Sequence, residues 1–307
     1  MANAYVAVDI STLPAPEIIE SLDFDTIFAD MLADLIARSA NDPYPFTALV
    51  ESDTAYKVLQ ACAYREVLLR QRVNEAAKAL LLPYATDGDL DNLAANFDVE
   101  RLTVTPADDT TVPPTAAVME SNAALVSRTQ QSFEGFSSAG PAGAYQFFAL
   151  SASGLVKDVS VTTPVPGTVL VTLLHANGDG GASNDVGGAL LAQVTTALSA
   201  EDVRPLCDTV EVQYAQILNY TVNATLEIYA SVDRDAVLAI AQDQIQAYTD
   251  ACHKCGGAPT LAGVYAALFV TGVQNVTLNA GGIQADMTAT RTQASYCTAI
   301  AVGGVAV

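Results

Sequence analysis

Residues 64–114 read YREVLLRQRVNEAAKALLLPYATDGDLDNLAANFDVERLTVTPADDTTVPP, and this stretch decides the fold. It begins as an amphipathic helix that should end at Pro83, because proline lacks the backbone N–H that a helix needs. An acidic turn and a short helix over residues Leu90–Phe97 follow, and Pro113 and Pro114 close a polar, extended segment. No residues here form a grouping typical of an active site. The stretch is therefore typical of a structural component to which other components bind.

The long helix is predicted to start at about Ala48 and to carry an apolar seam. Apolar residues recur at three-and-four spacing, interrupted by Glu66, over Ala55, Leu59, Cys62, Leu69, Val73, Ala76 and Leu80. A seam of this length needs a second helix to cover it. That helix is either the chain's own first one, predicted from Thr26 to about Arg38 with Asp25 as its cap, or a helix of a partner chain.

The same helix carries a basic cluster, Arg65, Arg70 and Arg72, on an acidic chain. Two interpretations stay open with equal weight: a solvated face with Glu66 and Glu75 in ion-pair range, or an edge that docks a partner. The predicted interface comprises Leu59, Arg65, Leu69, Arg72, Val73, Ala76 and Leu80.

Downstream of residue 98 the character of the chain changes, and from Leu155 the apolar period is that of strands. A short strand over Leu102–Thr105 is followed by two modest helices, at Asn122–Gln131 and Gly143–Ala152. Two strand–helix–strand units come next. Their predicted strands are Val156–Val161, Thr168–Leu174, Thr209–Tyr214, Asn219–Ile228, Val273–Leu278 and Thr298–Val302. Their predicted helices are Val186–Leu198, Arg234–Thr249 and Leu261–Phe269.

This order predicts an α+β protein in which an N-terminal helical bundle segment precedes two small α+β lobes with mostly antiparallel sheets. The expected domains are a helical region over residues 1–98, a central α+β domain over 99–216 and a C-terminal α+β domain over 217–307.

Composition and charge exclude several classes of protein. Of the 307 residues, 51% are hydrophobic, which excludes a disordered chain, and no apolar run is long enough to span a membrane. The formal net charge of −21 repels nucleic acid and anionic membrane surfaces. The five cysteines are scattered, which argues for assembly in a reducing cytosol, and the N-terminus lacks the pattern of a secretion signal.

Several blocks of the sequence resemble the baseplate J-like family of contractile-tailed phages and of R-type tailocins. The resemblance rests on residues 64–79, on DGDLDNLAANFDVERL (87–102) and on TPADDTTVPPTAAVMES (105–121). It continues, in order, through QQSFEGFSSAGPAGAYQF (130–147), ALSAEDVRP (197–205) and TQASYCT (292–298). It spans most of the chain from LPAPEIIESLDFDTI (13–27) onward, and its specificity lies in the order and extent of the blocks.

The resemblance implies a non-enzymatic structural component of the baseplate wedge, in a virion or tailocin particle assembled in the host cytoplasm. The implied partners are further copies of the chain, a baseplate I-like wedge protein, a lysozyme-like sheath-initiating protein and the central hub and spike. It implies neither direct nucleic-acid binding nor membrane insertion. The C-terminal domain would pair with a neighbouring wedge, and hinges are expected at Val99–Pro114 and near Ala215–Asn219.

The sharpest chemical motif is Cys252-His253-Lys254-Cys255. Cys252, His253 and Cys255 are a weak metal candidate, since a structural zinc site needs four ligands and the sequence has no second CxxC motif. A redox dithiol is a second possibility. The favoured interpretation is an exposed helix end with incidental cysteines, capped by Gly256 and Gly257. We therefore predict no metal and no cofactor.

Other site patterns are weaker still. The turn Asp87–Asp91 begins like a calcium loop, but Asn92 replaces the required glycine, so a helix cap is favoured. The acidic loop Asn177–Gly181 is predicted to be a surface loop, and His175 an exposed or half-buried residue at a strand end. No catalytic motif is present. Two rival functions are kept: a receptor-binding or fibre-attachment module, for which fibrous repeats and aromatic loop tips are missing, and a metal-assisted cell-wall hydrolase.

Overall fold

The computed structural model of the chain describes residues 10, 13, 14, 16, 18–46, 49–137, 140–201 and 203–306. It divides into two compact units, with the boundary between Glu100 and Arg101. Residues 1–9, where no secretion signal was expected, and Ala48, the predicted start of the long helix, lie outside the described residues.

The first unit is helical. Its helices are α1 (Phe24–Ser39), α2 (Thr54–Ala79) and α3 (Asp87–Ala95). Ile27 and Phe28 of α1 pack on Ala63 of α2, and the Phe28 ring meets Tyr56 edge-on, with centroids 4.8 Å apart. This core covers the first half of α2 with the chain's own α1.

The helix ends differ from the predictions for local reasons. Asp23, and not Asp25, caps α1, because its carboxylate accepts the backbone N–H groups of Asp25 and Thr26. Helix α2 starts only at Thr54, since residues 50–53 form a turn in which the Asp53 carboxylate accepts the Val50 N–H at 2.9 Å. Helix α3 starts at Asp87 instead of Leu90, so the acidic turn belongs to its first turn.

The second unit opens with a two-stranded ribbon, β1 (Thr103–Thr105) and β2 (Val118–Met119), followed by α4 (Asn122–Gly135). A buried ion pair anchors the ribbon to α4. The Arg128 guanidinium donates to both carboxylate oxygens of Glu120, at 2.9 and 2.6 Å, and the two side chains are 5% and 7% exposed. Glu120 also accepts the Leu102 N–H at 3.1 Å, so this pair holds the start of the unit in place.

The central lobe packs two helices on one sheet. Its elements are α5 (Ala142–Ala152), β3 (Val156–Thr162), β4 (Thr168–His175), α6 (Ala189–Leu198) and β5 (Thr209–Tyr214). The strand order is β3-β4-β5. Inward-facing residues of all three strands pack against Tyr145 and Ala149 of α5 and Leu190, Val194 and Leu198 of α6.

The C-terminal lobe repeats this plan. Its elements are β6 (Gln216–Ile228), α7 (Arg234–Cys252), α8 (Leu261–Leu268), β7 (Val273–Leu278) and β8 (Gln293–Ala306). The strand order is β7-β6-β8, and alternate residues of β6 from Tyr220 to Ile228 form a core with α7 and α8. The period-2 pattern of β6 therefore places one face of the sheet under the helices.

The α+β class and the N-terminal helices are confirmed, but the sheets are mixed instead of mostly antiparallel. β3 pairs with β4 antiparallel, whereas β4 pairs with β5 parallel; β6 pairs with β7 antiparallel and with β8 parallel. The physical reason is that α6 forms a crossover between β4 and β5, and such a connection returns the chain in the same direction. In the C-terminal lobe, β8 crosses to the far side of β6.

The segment 215–219 is not the irregular connector that was expected. Ala215 alone separates β5 from β6; it is 5% exposed, and its N–H donates to the Leu173 carbonyl at 2.8 Å. Gln216 donates to the Thr292 carbonyl at 3.0 Å, so the strand is paired from its first residue. The predicted domain boundary after residue 216 stays a prediction. None of the described helices is long and apolar enough to cross a membrane.

Candidate functional site

The second half of α2 presents an uncovered apolar face. Leu69, Val73 and Leu80 are 66%, 55% and 74% exposed, and Ala76 is also exposed. Leu59, by contrast, packs against the α1 core. The predicted interface residues therefore separate into two groups, because α1 ends before it can cover the whole seam.

Two shallow grooves lie along this face, and each has a volume of about 620 Å³. The first is lined by Leu69, Arg70, Arg72, Val73, Asn74 and Ala76, with Ile18 and Glu20 opposite. The second is lined by Met31, Val58, Ala61, Cys62, Arg65, Glu66 and Leu69. Leu69 lines both grooves, so it stands at the centre of the uncovered face.

The three residues of the arginine cluster also fall into two groups. Arg70 donates to Glu66 at 2.9 Å and to Glu20 at 3.1 Å, which fits the interpretation as a solvated, ion-paired face. Neither Arg65 nor Arg72 has a carboxylate within ion-pair distance among the described residues. These two exposed guanidinium groups can donate to a partner that covers the apolar residues.

One residue of this region was missed by the sequence reasoning. Asn74 is 9% exposed, its side-chain oxygen accepts the Glu20 N–H at 3.2 Å, and its amide donates to the Glu20 carbonyl at 2.9 Å. This paired bond fixes the segment before α1 along α2 and so forms one wall of the first groove. An asparagine inside an otherwise good helix sequence was the available signal.

The motif at 252–255 is not an exposed helix end, as was expected, but a buried junction between the two lobes of the second unit. The Cys255 N–H donates to the Asp158 carboxylate at 2.7 Å, and the Gly256 N–H donates to the Gln293 carbonyl at 2.7 Å. His253 is 7% exposed, and its Nδ1 lies 2.7 Å from the carbonyl oxygen of Ser295. The motif thus ties β3 of the central lobe to β8 of the C-terminal lobe.

Burial controls the protonation of these groups. It lowers the pKa of His253; the nearby Lys157 acts in the same direction, while the Ser295 carbonyl, Asp250 and Asp179 oppose it. Burial raises the pKa of Asp158, against the Cys255 N–H bond. It also raises the pKa of the Cys255 thiol, which makes it a poor thiolate ligand or nucleophile.

No group of three or more His, Cys, Asp or Glu side chains in the described part of the chain is placed to hold a metal ion. His175 is 3% exposed, which differs from the expected half-buried residue, and its Nδ1 accepts the Asn177 N–H at 2.9 Å. The Asp179 carboxylate is occupied by the Asn184 amide at 2.6 Å. Residues 87–91 belong to α3 itself and do not form a loop; the N-cap position is Thr86, which makes no side-chain capping hydrogen bond, so the expected cap is wrong, and Asp87 and Asp89 lie in the first turn, where they complement the helix dipole.

Exposed aromatic side chains do occur, contrary to the expectation from sequence. Phe133 and Phe136 at the end of α4 are 65% and 75% exposed, and their ring centroids lie 6.4 Å apart. This pair lies shortly before residues 138 and 139, which lie outside the described part of the chain.

Comparison with known proteins gives consistent results along the chain. The baseplate J-like N-terminal domain matches residues 51–108, and the baseplate J-like central domain matches residues 137–214. The chain is 46% identical over 294 residues to baseplate protein J of Escherichia phage P2, and the alignment covers 95% of each protein. The central-domain match ends at Tyr214, the last residue of β5.

Proposed function

Because this chain belongs to the baseplate J-like family, we propose that it is a non-enzymatic structural component of the baseplate wedge in a contractile phage tail or tailocin. The observation that carries the proposal is the similarity to baseplate protein J over 95% of both chains. The relative is named a baseplate protein, which supports a structural role. The chain then acts in the tail baseplate of a particle assembled in the host cytoplasm.

The uncovered half of α2 is the proposed assembly surface. Leu69, Val73 and Leu80 would bury apolar area against helices of a second copy and of a baseplate I-like wedge protein, and Arg65 and Arg72 would pair with carboxylates at the rim. The sheath-initiating protein and the central hub with its spike are the other proposed partners. Nucleic acid is not among them, since the net charge of −21 repels it.

Each copy in a ring of wedges needs two unlike contact surfaces, because a closed ring forms when one heterologous interface is repeated by rotation around an axis. We assign one contact to the α2 surface and the other to the C-terminal lobe, over residues 217–307, which would meet the neighbouring wedge.

The proposed action of the wedge is conformational: it transmits the change that triggers contraction of the sheath. The connector Val99–Pro114 is the proposed hinge, and the boundary between the two compact units, at Glu100 and Arg101, supports this assignment. Cysteine pairs that bridge this connector should block contraction after oxidation but leave assembly intact. Contraction at the normal rate in oxidised particles would remove the hinge from the mechanism.

Antibody labelling of intact contractile particles from the source organism, viewed by electron microscopy, tests the main proposal. We expect label in a ring at the tail end that faces the target cell. Particles without label, together with free protein in the cytosol or medium, would refute a baseplate role.

A further inference from the structure

The central lobe carries an open groove that the assembly surface on α2 does not use. Its volume is about 600 Å³, and six consecutive residues of one segment, Asp158–Thr163, line its floor. Gln146 and Tyr145 of α5 form one wall, and Lys254, Cys255 and Arg291 form the other. Such a run of neighbours is what the free edge of a strand presents, and β3 is an edge strand of its sheet.

Hydrogen bonds settle which backbone groups of β3 point into the groove. The Ala215 N–H donates to Leu173 and the Thr209 N–H donates to Gly167, so odd-numbered residues of β4 face β5 and even-numbered ones face β3. Since Ser160 pairs with Thr172 and Thr162 with Leu170, these β3 residues bond to β4.

Val159 and Val161 therefore direct their N–H and C=O groups outward, and Thr163 continues the same alternation just past the strand. The Val159 carbonyl already accepts the Gln146 amide at 3.0 Å, and the Val159 N–H interacts with the Asp158 carboxylate, so the free part of the edge begins at Val161. No side chain or backbone group in the described ranges caps the outward groups of Val161. An unpaired edge of this kind is a template for another strand.

The charges of the groove select the partner. Lys254 and Arg291 are both exposed, and neither forms an ion pair with a carboxylate of the described residues. The Asp158 carboxylate on the floor is turned to the Cys255 N–H at 2.7 Å. Two free cations beside a polar strand edge are unusual in a chain with a net charge of −21, and they attract a negatively charged segment.

We propose that this groove binds an extended acidic segment of a partner protein, which adds as a strand to the free edge of β3 while its carboxylates meet Lys254 and Arg291. The first part of the other long edge, β8, is unsuitable, since Gly256 and His253 already cap the Gln293 and Ser295 carbonyls. The proposal is independent of the baseplate role, because the groove can be tested on the isolated protein.

Three octapeptides are the probes: one alternating valine and glutamate, the same peptide with an N-methyl group on every residue, and a third alternating valine and lysine. Binding is followed by fluorescence anisotropy, and its location by hydrogen exchange resolved to single amides. We expect the glutamate peptide to slow exchange at Val161 and Thr163. The N-methylated peptide, which lacks strand donors, should bind about tenfold more weakly or worse, and the lysine peptide should not slow exchange at Val161.

Charge-reversal variants distinguish binding at this groove from a general attraction of the acidic peptide to cationic side chains. The pair Lys254→Glu and Arg291→Glu should weaken binding of the glutamate peptide by roughly tenfold or more, whereas Arg234→Glu, a matched exposed cation of α7, should leave it unchanged. Lys254→Gln with Arg291→Gln serves if the reversal impairs folding. Unchanged exchange at Val161 with saturating peptide, equal binding of the N-methylated peptide, or equal loss in Arg234→Glu would each overturn the proposal.

Discussion

The α2 surface makes a quantitative prediction for Leu69→Glu combined with Val73→Glu. Complete burial of a leucine or valine contributes about 1.5–3 kcal/mol. Leu69 and Val73 are 66% and 55% exposed, so assembly can still bury about two thirds of the Leu69 side chain and about half of the Val73 side chain. Each side chain can therefore contribute that share of its full burial free energy to association. Together they contribute about 2–3.5 kcal/mol, which corresponds to a loss of about 30- to 400-fold in association. The buried glutamate carboxylates would add a desolvation cost in the same direction.

The assay is complementation of contractile particles that lack the wild-type chain, with intact tails counted by electron microscopy. The double variant should reduce the count of intact tails by at least about tenfold relative to wild type. This limit lies below the loss in association derived above. Leu206→Glu is the matched control, because this leucine is 100% exposed and belongs to the other compact unit. Leu69, Val73 and Leu206 are all exposed, so each substitution should change the free energy of unfolding by less than about 0.5 kcal/mol.

The reasoning would be refuted by a double variant that is stably folded and assembles as many tails as wild type. Equal failure of Leu206→Glu would show instead that any added charge impairs assembly. The first result would remove the α2 surface from the proposed wedge contacts, and the second would remove the evidence that the loss is specific to it.

Three further predictions concern the second unit. Arg128→Met should destabilise it by about 3–5 kcal/mol in urea unfolding, because Glu120 is left charged and buried, and Glu120→Gln together with Arg128→Met should recover part of that loss. The pKa of His253 is lowered in the folded state, so as the pH falls through the ordinary histidine pKa of about 6.5 the unfolded chain takes up a proton before the folded chain does. Wild type should therefore lose more stability on acidification than His253→Asn, whose amide can still donate to Ser295; equal losses would contradict this. Chelation by EDTA should leave the melting temperature unchanged, and stoichiometric zinc in protein purified without added metal would contradict the assignment of residues 252–255 as a structural junction.

Much of the element order could be predicted because its signals are local. The strands Thr209–Tyr214 and Val273–Leu278 have the predicted bounds, since a period-2 pattern between turn residues depends only on neighbours in sequence. The start of α7 at Arg234 follows in the same way from Asp233, whose carboxylate accepts the Asp235 N–H. For these elements the chain specifies its own ends.

The extent of β8 could not be predicted from its own residues. Only Thr298–Val302 has a clear strand pattern, yet the strand runs from Gln293 to Ala306, because it pairs with β6 along the full length of that strand. The parallel direction of this pairing is likewise decided by the route of the chain around the lobe.

The candidate surfaces show the same division. Periodicity in the sequence placed an apolar seam on α2, but it could not tell that α1 covers Leu59 and leaves Leu69 and Val73 exposed. The motif at 252–255 looked like an exposed helix end, since nothing nearby in sequence indicates that Asp158 and Ser295 receive it.

The sequence by itself determined the order and type of most elements, the acidic charge and the membership of a family of structural proteins. Only the tertiary structure decided which apolar residues stay uncovered, which strand edge stays open and where the rare cations stand beside it. The physical reason is that helix caps and hydrophobic periods act over a few residues. Burial and strand pairing, in contrast, join residues far apart in the chain, such as Asp158 and Cys255, and no local pattern encodes them.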